Sequence, residues 1–357
     1  MTKKLPHLLH WVKYLLFSPI YLLVFISSIN YSNAQPCFDT SAQVRTNTSS
    51  EFLSVSDFNR DGKMDMVADY DGDTVLVSLG DGLGGFYKSS VFNIGRVTSS
   101  EILCKDFNND GKIDIVAGIN NFISYGISII LGDGSGGFSS PTFFKDQSQL
   151  VSLTSADYNG DGKLDIATAN NSNISIFFGN GLGSFLVVKT FNVGKIPLSI
   201  TSSDFNGDGK MDLATVNNTS NDMSLLLGNG SGGFTLAQSI VLYGRPISII
   251  SADFNSDGKI DIATIEYYNI SIMIGNGSGG FSTPVNYSNF RNDPIQDKAI
   301  CVDFNGDGKM DLIVGERKGI TLLIGEGTGS FSKSEYYPVN IYDVNRSINS
   351  LTTADLI

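Results

Sequence analysis

The chain has little histidine, tryptophan, proline or cysteine. Its 357 residues include 2 His, 1 Trp, 9 Pro and 3 Cys. Both histidines, His7 and His10, precede residue 35, so the rest of the chain has no imidazole for a catalytic triad, a general base or a metal site. Three cysteines do not make the disulfide framework of an exported protein. We therefore predict no catalytic residue and expect a protein that is not an enzyme.

Positive charge is also scarce. The chain has 24 Lys and Arg against 36 Asp and Glu, a formal net charge of -12 at pH 7. This balance argues against nucleic acid as a partner, because such binding depends on Lys and Arg contacts to phosphates. Glycine, in contrast, is abundant at 39 residues, and the aromatic residues are mostly Phe and Tyr. That composition is typical of short strands joined by tight turns.

The first 34 residues differ from the rest. Lys3, Lys4 and Lys13 precede a mostly apolar stretch at residues 15–29. Ser32-Asn33-Ala34 then offers the small residues of a cleavage site. We predict a signal peptide over residues 1–34 and a secreted or cell-surface protein with no membrane insertion after cleavage. The alternative is an uncleaved membrane anchor, which the short apolar stretch and its Pro19 disfavour.

A nine-residue sequence recurs six times, at intervals of about 50 residues. The first copy is DFNRDGKMD, and the other five differ from it only at the second, fourth and eighth positions. The copies begin at Asp57, Asp106, Asp157, Asp204, Asp253 and Asp303.

A second motif follows each copy, with glycines at its first, third and fifth positions and a phenylalanine at its end. Glycines that permit positive φ predict a tight hairpin turn. A phosphate-binding loop is the alternative, but the sequence after the motif is typical of a strand and not of a helix. The six copies are Gly80–Phe86, Gly132–Phe138, Gly179–Phe185, Gly228–Phe234, Gly275–Phe281 and Gly325–Phe331.

Short apolar runs between the two motifs, rich in β-branched and aromatic residues, predict buried strands. Each unit then consists of strand A, the nine-residue loop, strands B and C, the glycine turn and strand D. Four strands in each unit of about 50 residues is typical of a β-propeller blade, with a linear solenoid as the alternative. We predict an all-β propeller over residues 35–357. Its units begin near residues 51, 100, 151, 198, 247, 297 and 349.

The two ends of the repeat array predict a truncated seventh blade. Residues 351–355 resemble residues 153–157, which lead into the third loop. Phe38 precedes the first loop by the same spacing that separates Phe138 from the third. We expect six complete four-stranded blades plus a truncated seventh, to which Phe38–Ser50 contributes a lone strand D. The intact protein is expected to be a seven-bladed ring.

The nine-residue loop has the ligand pattern of a calcium site. In the third copy, Asp157, Asn159, Asp161, the carbonyl of Lys163 and Asp165 alternate along the loop, and a glycine at the sixth position allows the sharp turn. Calcium takes six to eight oxygen ligands, whereas magnesium keeps several waters. We predict about six Ca²⁺ ions. The predicted ligands are Asp57, Asn59, Asp61, Lys63, Asp65, Asp106, Asn108, Asp110, Lys112, Asp114, Asp157, Asn159, Asp161, Lys163, Asp165, Asp204, Asn206, Asp208, Lys210, Asp212, Asp253, Asn255, Asp257, Lys259, Asp261, Asp303, Asn305, Asp307, Lys309 and Asp311.

These loops and turns resemble the FG-GAP/VCBS repeats of bacterial surface proteins and of the propeller of integrin α subunits. The resemblance covers nearly all of residues 38–357, although the Gly-Ala-Pro of the family name is missing. It implies a propeller whose A–B loops bind calcium. It does not imply one ligand, because the family spans adhesion, carbohydrate recognition and accessory domains of enzymes.

The resemblance also implies that the calcium loops and glycine turns share one face, with the B–C and D–A connections on the other. These connections differ between units, and their aromatic and arginine side chains suit contacts with sugars or proteins. The candidate ligand-binding residues are Tyr243, Arg245, Tyr267, Tyr268, Arg291 and Arg317. Asp69, Asp71 and Asp73 are candidates for an additional cation.

The sequence therefore favours a calcium-binding adhesion or recognition module for an extracellular glycan or protein, as a monomer or as part of a larger chain. One alternative is the propeller domain of a secreted polysaccharide-degrading enzyme that uses paired carboxylates. The other is a structural part of a larger surface protein.

Overall fold

The structure is a computed structural model, and all of its regular secondary structure is β-strand in the residues that it describes. These are residues 12–15, 21–25, 38–42, 52–338 and 348–353, with gaps at 84, 121–124, 147, 172, 288–294 and 317–318. Within these ranges, no helix is long and apolar enough to cross a membrane.

Three strands, β1 (Val12–Leu15), β2 (Tyr21–Phe25) and β3 (Phe38–Ala42), precede the first repeat. Six antiparallel four-stranded sheets follow, and we call them blades 1 to 6. Each blade uses four consecutive strands, A to D, in chain order, because short connections place each strand beside the one before it.

The strands of blades 1 to 3 are β4 (Leu53–Ser56), β5 (Asp65–Asp69), β6 (Thr74–Gly80), β7 (Phe86–Asn93), β8 (Val97–Lys105), β9 (Asp114–Asn120), β10 (Tyr125–Ile130), β11 (Thr142–Asp146), β12 (Leu150–Ala156), β13 (Asp165–Asn170), β14 (Asn173–Gly179) and β15 (Phe185–Asn192). Those of blades 4 to 6 are β16 (Pro197–Ser203), β17 (Asp212–Asn217), β18 (Asp222–Gly228), β19 (Phe234–Val241), β20 (Pro246–Ala252), β21 (Asp261–Glu266), β22 (Ile270–Met273), β23 (Val285–Tyr287), β24 (Ile295–Val302), β25 (Asp311–Glu316), β26 (Gly319–Gly325) and β27 (Phe331–Pro338). A last strand, β28, covers Ile348–Thr353.

The blades pack side by side through their A strands. β4 contacts β8, β8 contacts β12, and the same contact continues through β16, β20 and β24. The B strands are buried along their length, as in β13, β17 and β21, whereas the D strand β19 is mostly exposed. This arrangement confirms the propeller and its six complete four-stranded blades, with strand A inside and strand D outside.

The expected truncated seventh blade is not supported. β28 pairs in parallel with β2, and β3 pairs in parallel with β1, so the two strands assigned to that blade lie in different two-stranded sheets. In blades 1 to 6, strand A pairs antiparallel with the strand that follows its own loop. β28 instead contacts β24 and β4, the A strands of blades 6 and 1.

Neighbouring blades are joined by aromatic contacts that the sequence analysis did not anticipate. The second residue of each of the first five loops packs edge-to-face on the turn phenylalanine of the next blade, with ring centroids 5.6–6.0 Å apart. A strand-D aromatic often completes the group, as Phe144 does beside Phe107 and Phe185. Such pairs contribute about 0.5–1.5 kcal/mol each beyond the area that they bury.

The aromatic group of Phe107, Phe144 and Phe185, which we call the Phe185 joint, should contribute to the free energy of unfolding. Phe185→Ala removes two edge-to-face contacts and leaves a cavity between blades 2 and 3, so the free energy of unfolding should fall by about 3–5 kcal/mol. Urea unfolding measures the change. The control is Leu182→Ala in the same turn, where the side chain is 75% exposed and the effect should stay within about 0.5 kcal/mol. Equal losses in the two variants would contradict the role of the joint.

Candidate metal loops and ligand pocket

Each nine-residue loop connects strand A to strand B, as predicted. The third loop begins after β12 ends at Ala156, and its last residue, Asp165, is the first of β13. Gly160 and Gly162 have positive φ values of 76° and 79°. The fourth position keeps this conformation where it is not glycine, with φ values of 61° at Arg60, 57° at Asn109 and 60° at Ser256. The loop backbone is therefore the same despite the variable fourth residue.

The side chains at loop positions 1, 3 and 5 turn inward onto the loop backbone. In the third loop, Asp157 accepts hydrogen bonds from the N–H groups of Asp161 at 3.2 Å and Gly162 at 2.8 Å. Asn159 accepts from Asp161, and Asp161 accepts from Lys163. The same four bonds occur in all the other loops. The oxygens of these three side chains are thus held around one turn.

The aspartate at position 9 has a further role that the sequence analysis missed. Asp165 is fully buried; its Oδ2 accepts from the N–H of Tyr158 at 3.0 Å and its Oδ1 from that of Gly179 at 2.8 Å. All six loops make this pair of bonds, at 2.9–3.0 Å and 2.7–2.9 Å respectively. Each carboxylate therefore ties its loop to the glycine turn of the same blade.

Burial raises the pKa of Asp114 and Asp165 to about 6, and their bonds from backbone N–H groups offset only part of this effect. The other four position-9 carboxyls also have a raised pKa with burial as its largest cause. A divalent cation beside such a group stabilises its ionised form.

The lysine at position 7 lies along its own loop. Its Nζ is 3.0–3.9 Å from the Oδ2 of the position-5 aspartate in all six loops. At Asp208, the hydrogen bond from the Lys210 side chain lowers the pKa of the carboxyl. The lysine stem crosses the glycine turn, so a Cβ at Gly181 would lie 3.1 Å from Cδ of Lys163.

The donor chemistry of the loops fits calcium. Within the described part of the chain, no three Asp, Glu, His or Cys side chains are grouped as they are around a formed metal centre, so support for a cation comes from the donors themselves. They are carboxylate, amide and carbonyl oxygens, the ligands that calcium takes. A carboxylate has about four acceptor sites, so the single backbone bond of Asp161 leaves acceptor capacity for an ion. Asp157 accepts from four backbone N–H groups, so an ion at its carboxylate would replace some of these bonds.

On the opposite rim, the structure brings together three of the predicted ligand residues. Arg245, Tyr267 and Tyr268 line an open cavity of about 350 Å³ together with Gly244 and Asn269. Its two sides are the connection into β20 and the turn between β21 and β22. Tyr243 is 74% exposed and does not line this cavity. Arg291 and Arg317 lie outside the described residues.

Glu266 supports the cavity from below and was not among the predicted residues. It is fully buried, and it accepts hydrogen bonds from Nδ2 of Asn269 at 2.7 Å and Oγ of Ser271 at 2.6 Å. A Cβ at Gly244 would clash with its Oε2. The sequence carried a signal for this position, since the last residue of strand B is Asp, Asn or Glu in every unit.

The acidic turn of blade 1 is held by bonds of its own. Oδ1 of Asp69 accepts from the N–H of Gly72, and Oδ1 of Asp71 accepts from the N–H and Oγ1 of Thr74. The additional cation near Asp69, Asp71 and Asp73 stays a prediction.

Five segments of the chain match the family model described as FG-GAP-like repeat: residues 57–117, 106–168, 157–215, 204–264 and 303–356. No curated protein matches the chain in sequence.

The solved structures that are similar in fold include the following three. An Agrocybe aegerita lectin that recognises non-reducing terminal N-acetylglucosamine is 21% identical with a TM-score of 0.61, over 81% of this chain and 80% of the lectin. BBS1N in complex with ARL6DN is 11% identical with a TM-score of 0.58, over 82% and 83%. A functionally unknown protein from Desulfotomaculum acetoxidans DSM 771 is 13% identical with a TM-score of 0.58, over 83% and 92%. At these identities the similarity shows the fold alone.

The two kinds of loop aspartate should respond differently to substitution in the presence of EDTA. Asp165→Ala leaves the buried N–H groups of Tyr158 and Gly179 without acceptors, which should lower the free energy of unfolding by about 2–5 kcal/mol. Asp161→Ala changes an exposed loop side chain and should cost less than about 1 kcal/mol when calcium is chelated. Chemical denaturation of both variants in EDTA measures the difference, and similar losses would contradict a structural role for Asp165.

Proposed function

The chain belongs to the FG-GAP-like repeat family, and from this premise we propose that it is a secreted or cell-surface calcium-binding propeller that recognises an extracellular glycan or protein. It acts as a monomer or as part of a larger chain. Its residues 1–34 serve as the signal peptide, whose cleavage removes β1 and β2 together with their pairings to β3 and β28.

Calcium has a structural role in this proposal. Positions 1, 3, 5, 7 and 9 of the six loops hold the ions, and their carboxylates account for much of the acidity of the chain. The ions neutralise side chains that are crowded around one turn in each blade, so binding stabilises the folded state by mass action.

Recognition takes place on the rim opposite the loops. The observation that carries the proposal is the cavity beside Arg245, Tyr267 and Tyr268, where both tyrosine rings are exposed. β21 separates this rim from the fifth loop by its six residues, or roughly 15–20 Å. Calcium therefore supports the rim through the stability of the blade and does not contact the ligand.

Two further observations favour binding of a sugar over catalysis. The residues that line the described cavity include no carboxylate, so they offer no acid–base pair of the kind that hydrolyses glycosidic bonds. The Agrocybe aegerita lectin, which shares the fold, recognises non-reducing terminal N-acetylglucosamine and is a precedent for sugar binding by this architecture.

The calcium proposal predicts a stoichiometry. Metal analysis of the folded protein, dialysed against calcium at about ten times the expected Kd and corrected for the calcium of the buffer, should find close to six Ca²⁺ per chain, because the sequence has six complete loops. Asp161→Ala should remove about one ion by taking a carboxylate from the third loop. Zero or one ion in the folded wild-type protein would refute the assignment.

The calcium proposal also predicts that chelation lowers the stability of the protein. Sites with Kd near 10⁻⁴–10⁻³ M in about millimolar calcium stabilise by roughly 0.4–1.4 kcal/mol each, or about 2.5–8.5 kcal/mol for six. EDTA should therefore lower the melting temperature markedly. An unchanged melting curve would contradict a structural role for the ions.

The recognition proposal predicts that Tyr267→Ala combined with Tyr268→Ala abolishes ligand binding without a change in melting temperature, because both rings are exposed. An array of glycans and matrix proteins, probed with calcium present, measures binding. Tyr243→Ala, an exposed tyrosine outside the cavity, is the matched control and should bind like the wild type. Binding that survives the double substitution would exclude this rim.

A further inference from the structure

We infer that the cavity at Arg245, Tyr267 and Tyr268 binds a carboxylate-bearing sugar residue, such as a hexuronic acid unit of an acidic polysaccharide. Arg245 pairs with the carboxylate and so favours an acidic sugar over a neutral one. This inference rests on the proposed function, since it names the ligand class of the same site.

The cavity is built on a fixed backbone frame. The N–H of Tyr267 donates to the carbonyl of Arg245 at 3.2 Å, which joins the connection before β20 to the turn after β21. The N–H of Glu266 donates to the carbonyl of Asn269 at 2.8 Å and closes that turn. The arginine and the two tyrosines therefore start from backbone positions that are fixed relative to each other, which reduces the entropy lost on binding.

The tyrosines offer the surface that a sugar ring covers. Tyr267 and Tyr268 are 43% and 57% exposed, with ring centroids 5.9 Å apart and planes inclined at 57°. A pyranose has an apolar face of C–H groups and an edge of hydroxyls, so its face can lie on an aromatic ring while its hydroxyls meet polar groups. Asn269 supplies one such group: its Nδ2 is bonded to Glu266, which leaves its Oδ1 as an acceptor. The cavity volume, about 350 Å³, is at the small end for ligand sites and suits one or two sugar rings.

The charge at the cavity is unbalanced. Arg245 is exposed, and its guanidinium has no ion pair or hydrogen bond with the described residues. The loop lysines on the other face, in contrast, each pair with an aspartate of their own loop. A guanidinium presents donors in a planar fork that matches a carboxylate in two parallel bonds. In a chain of net charge -12, this unpaired cation beside two stacking rings favours an anionic ligand.

The negative charge of Glu266 lies outside the cavity. Its carboxylate is fully buried and accepts bonds from Asn269 and Ser271, and it is not among the residues that line the cavity. Glu266 holds Asn269 in the cavity wall. Because its carboxylate does not line the cavity, it offers no direct contact that would favour a cationic ligand.

Blade 4 offers a matched control position. Lys195 lies in the equivalent connection of that blade, next to Ile196, whose carbonyl accepts from the N–H of Asn218 at 2.8 Å as that of Arg245 accepts from Tyr267. The turn that contains Thr219 and Ser220 carries no aromatic side chain. Lys195 thus places a positive charge one residue from the position equivalent to Arg245, without the stacking surface.

The test is calorimetric titration of the full chain at constant calcium with three probes: a galacturonic acid trimer, a neutral galactose trimer and a sulfated galactose trimer. The wild type should bind the galacturonic acid trimer most tightly. Arg245→Gln should weaken that binding by roughly 10- to 100-fold, because bonds to charged groups are lost, and should weaken binding of the neutral trimer by a clearly smaller factor. Tyr268→Ala should weaken binding of the galacturonic acid trimer and of the neutral galactose trimer. Lys195→Gln should change neither, and all variants should melt like the wild type.

The outcomes separate this inference from the proposed function. Equal affinity for acidic and neutral trimers, or no effect of Arg245→Gln, overturns the selection of a carboxylate while sugar recognition at this rim stands. Preference for the sulfated trimer assigns the site to sulfate and overturns the uronic acid. No binding of the galacturonic acid trimer at millimolar concentration also overturns the inference, and the array with the double tyrosine variant then decides the proposed function by itself.

Discussion

In every blade, a fully buried aspartate joins the loop between strands A and B to the turn between strands C and D. Asp165 accepts one bond from Tyr158 in the loop and another from Gly179 at the start of the turn. A buried carboxylate is costly unless it is hydrogen-bonded, and these backbone donors are what make it tolerable. A Cβ at Gly179 would clash with the carbonyl oxygen of Leu164, so the close approach of loop and turn also depends on glycine.

The same loop residue carries the connection to the next blade. Tyr158 donates to Asp165 through its N–H and accepts through its carbonyl from Gly232 of blade 4 at 2.9 Å, while its ring packs on Phe234. A substitution in one loop therefore affects contacts inside its own blade and contacts with the neighbouring blade. This gives the proposed calcium ions a physical route to stabilise several blades, because an ion that orders a loop also orders the carbonyl and the ring that meet the next blade.

The two rims of the propeller follow different rules. The loop rim repeats the same bonds six times, because the same nine-residue sequence recurs in each blade. On the opposite rim the turns need only connect strands, and their side chains differ: the turn after β17 is held by Asn217 and Ser220, whereas that after β21 carries Tyr267 and Tyr268 above Glu266. A repeat fold can therefore acquire a specific binding site on one rim without a change in the bonds that hold its blades.

The sequence by itself determined the repeat, the four strands of each blade, the position of each loop between strands A and B, and the oxygen donors within it. These follow from local patterns, namely a nine-residue motif, glycines that need positive φ and short apolar runs. It also pointed to Arg245, Tyr267 and Tyr268, because aromatic side chains on a short turn stand out from their equivalents. Only the tertiary structure decided which groups meet across distance: the two bonds of Asp165, the joint around Phe185, the support of Asn269 by Glu266, and the separation of β3 and β28 into different sheets. The reason is that strand pairing and burial depend on where other blades place their surfaces, which no single fifty-residue unit contains.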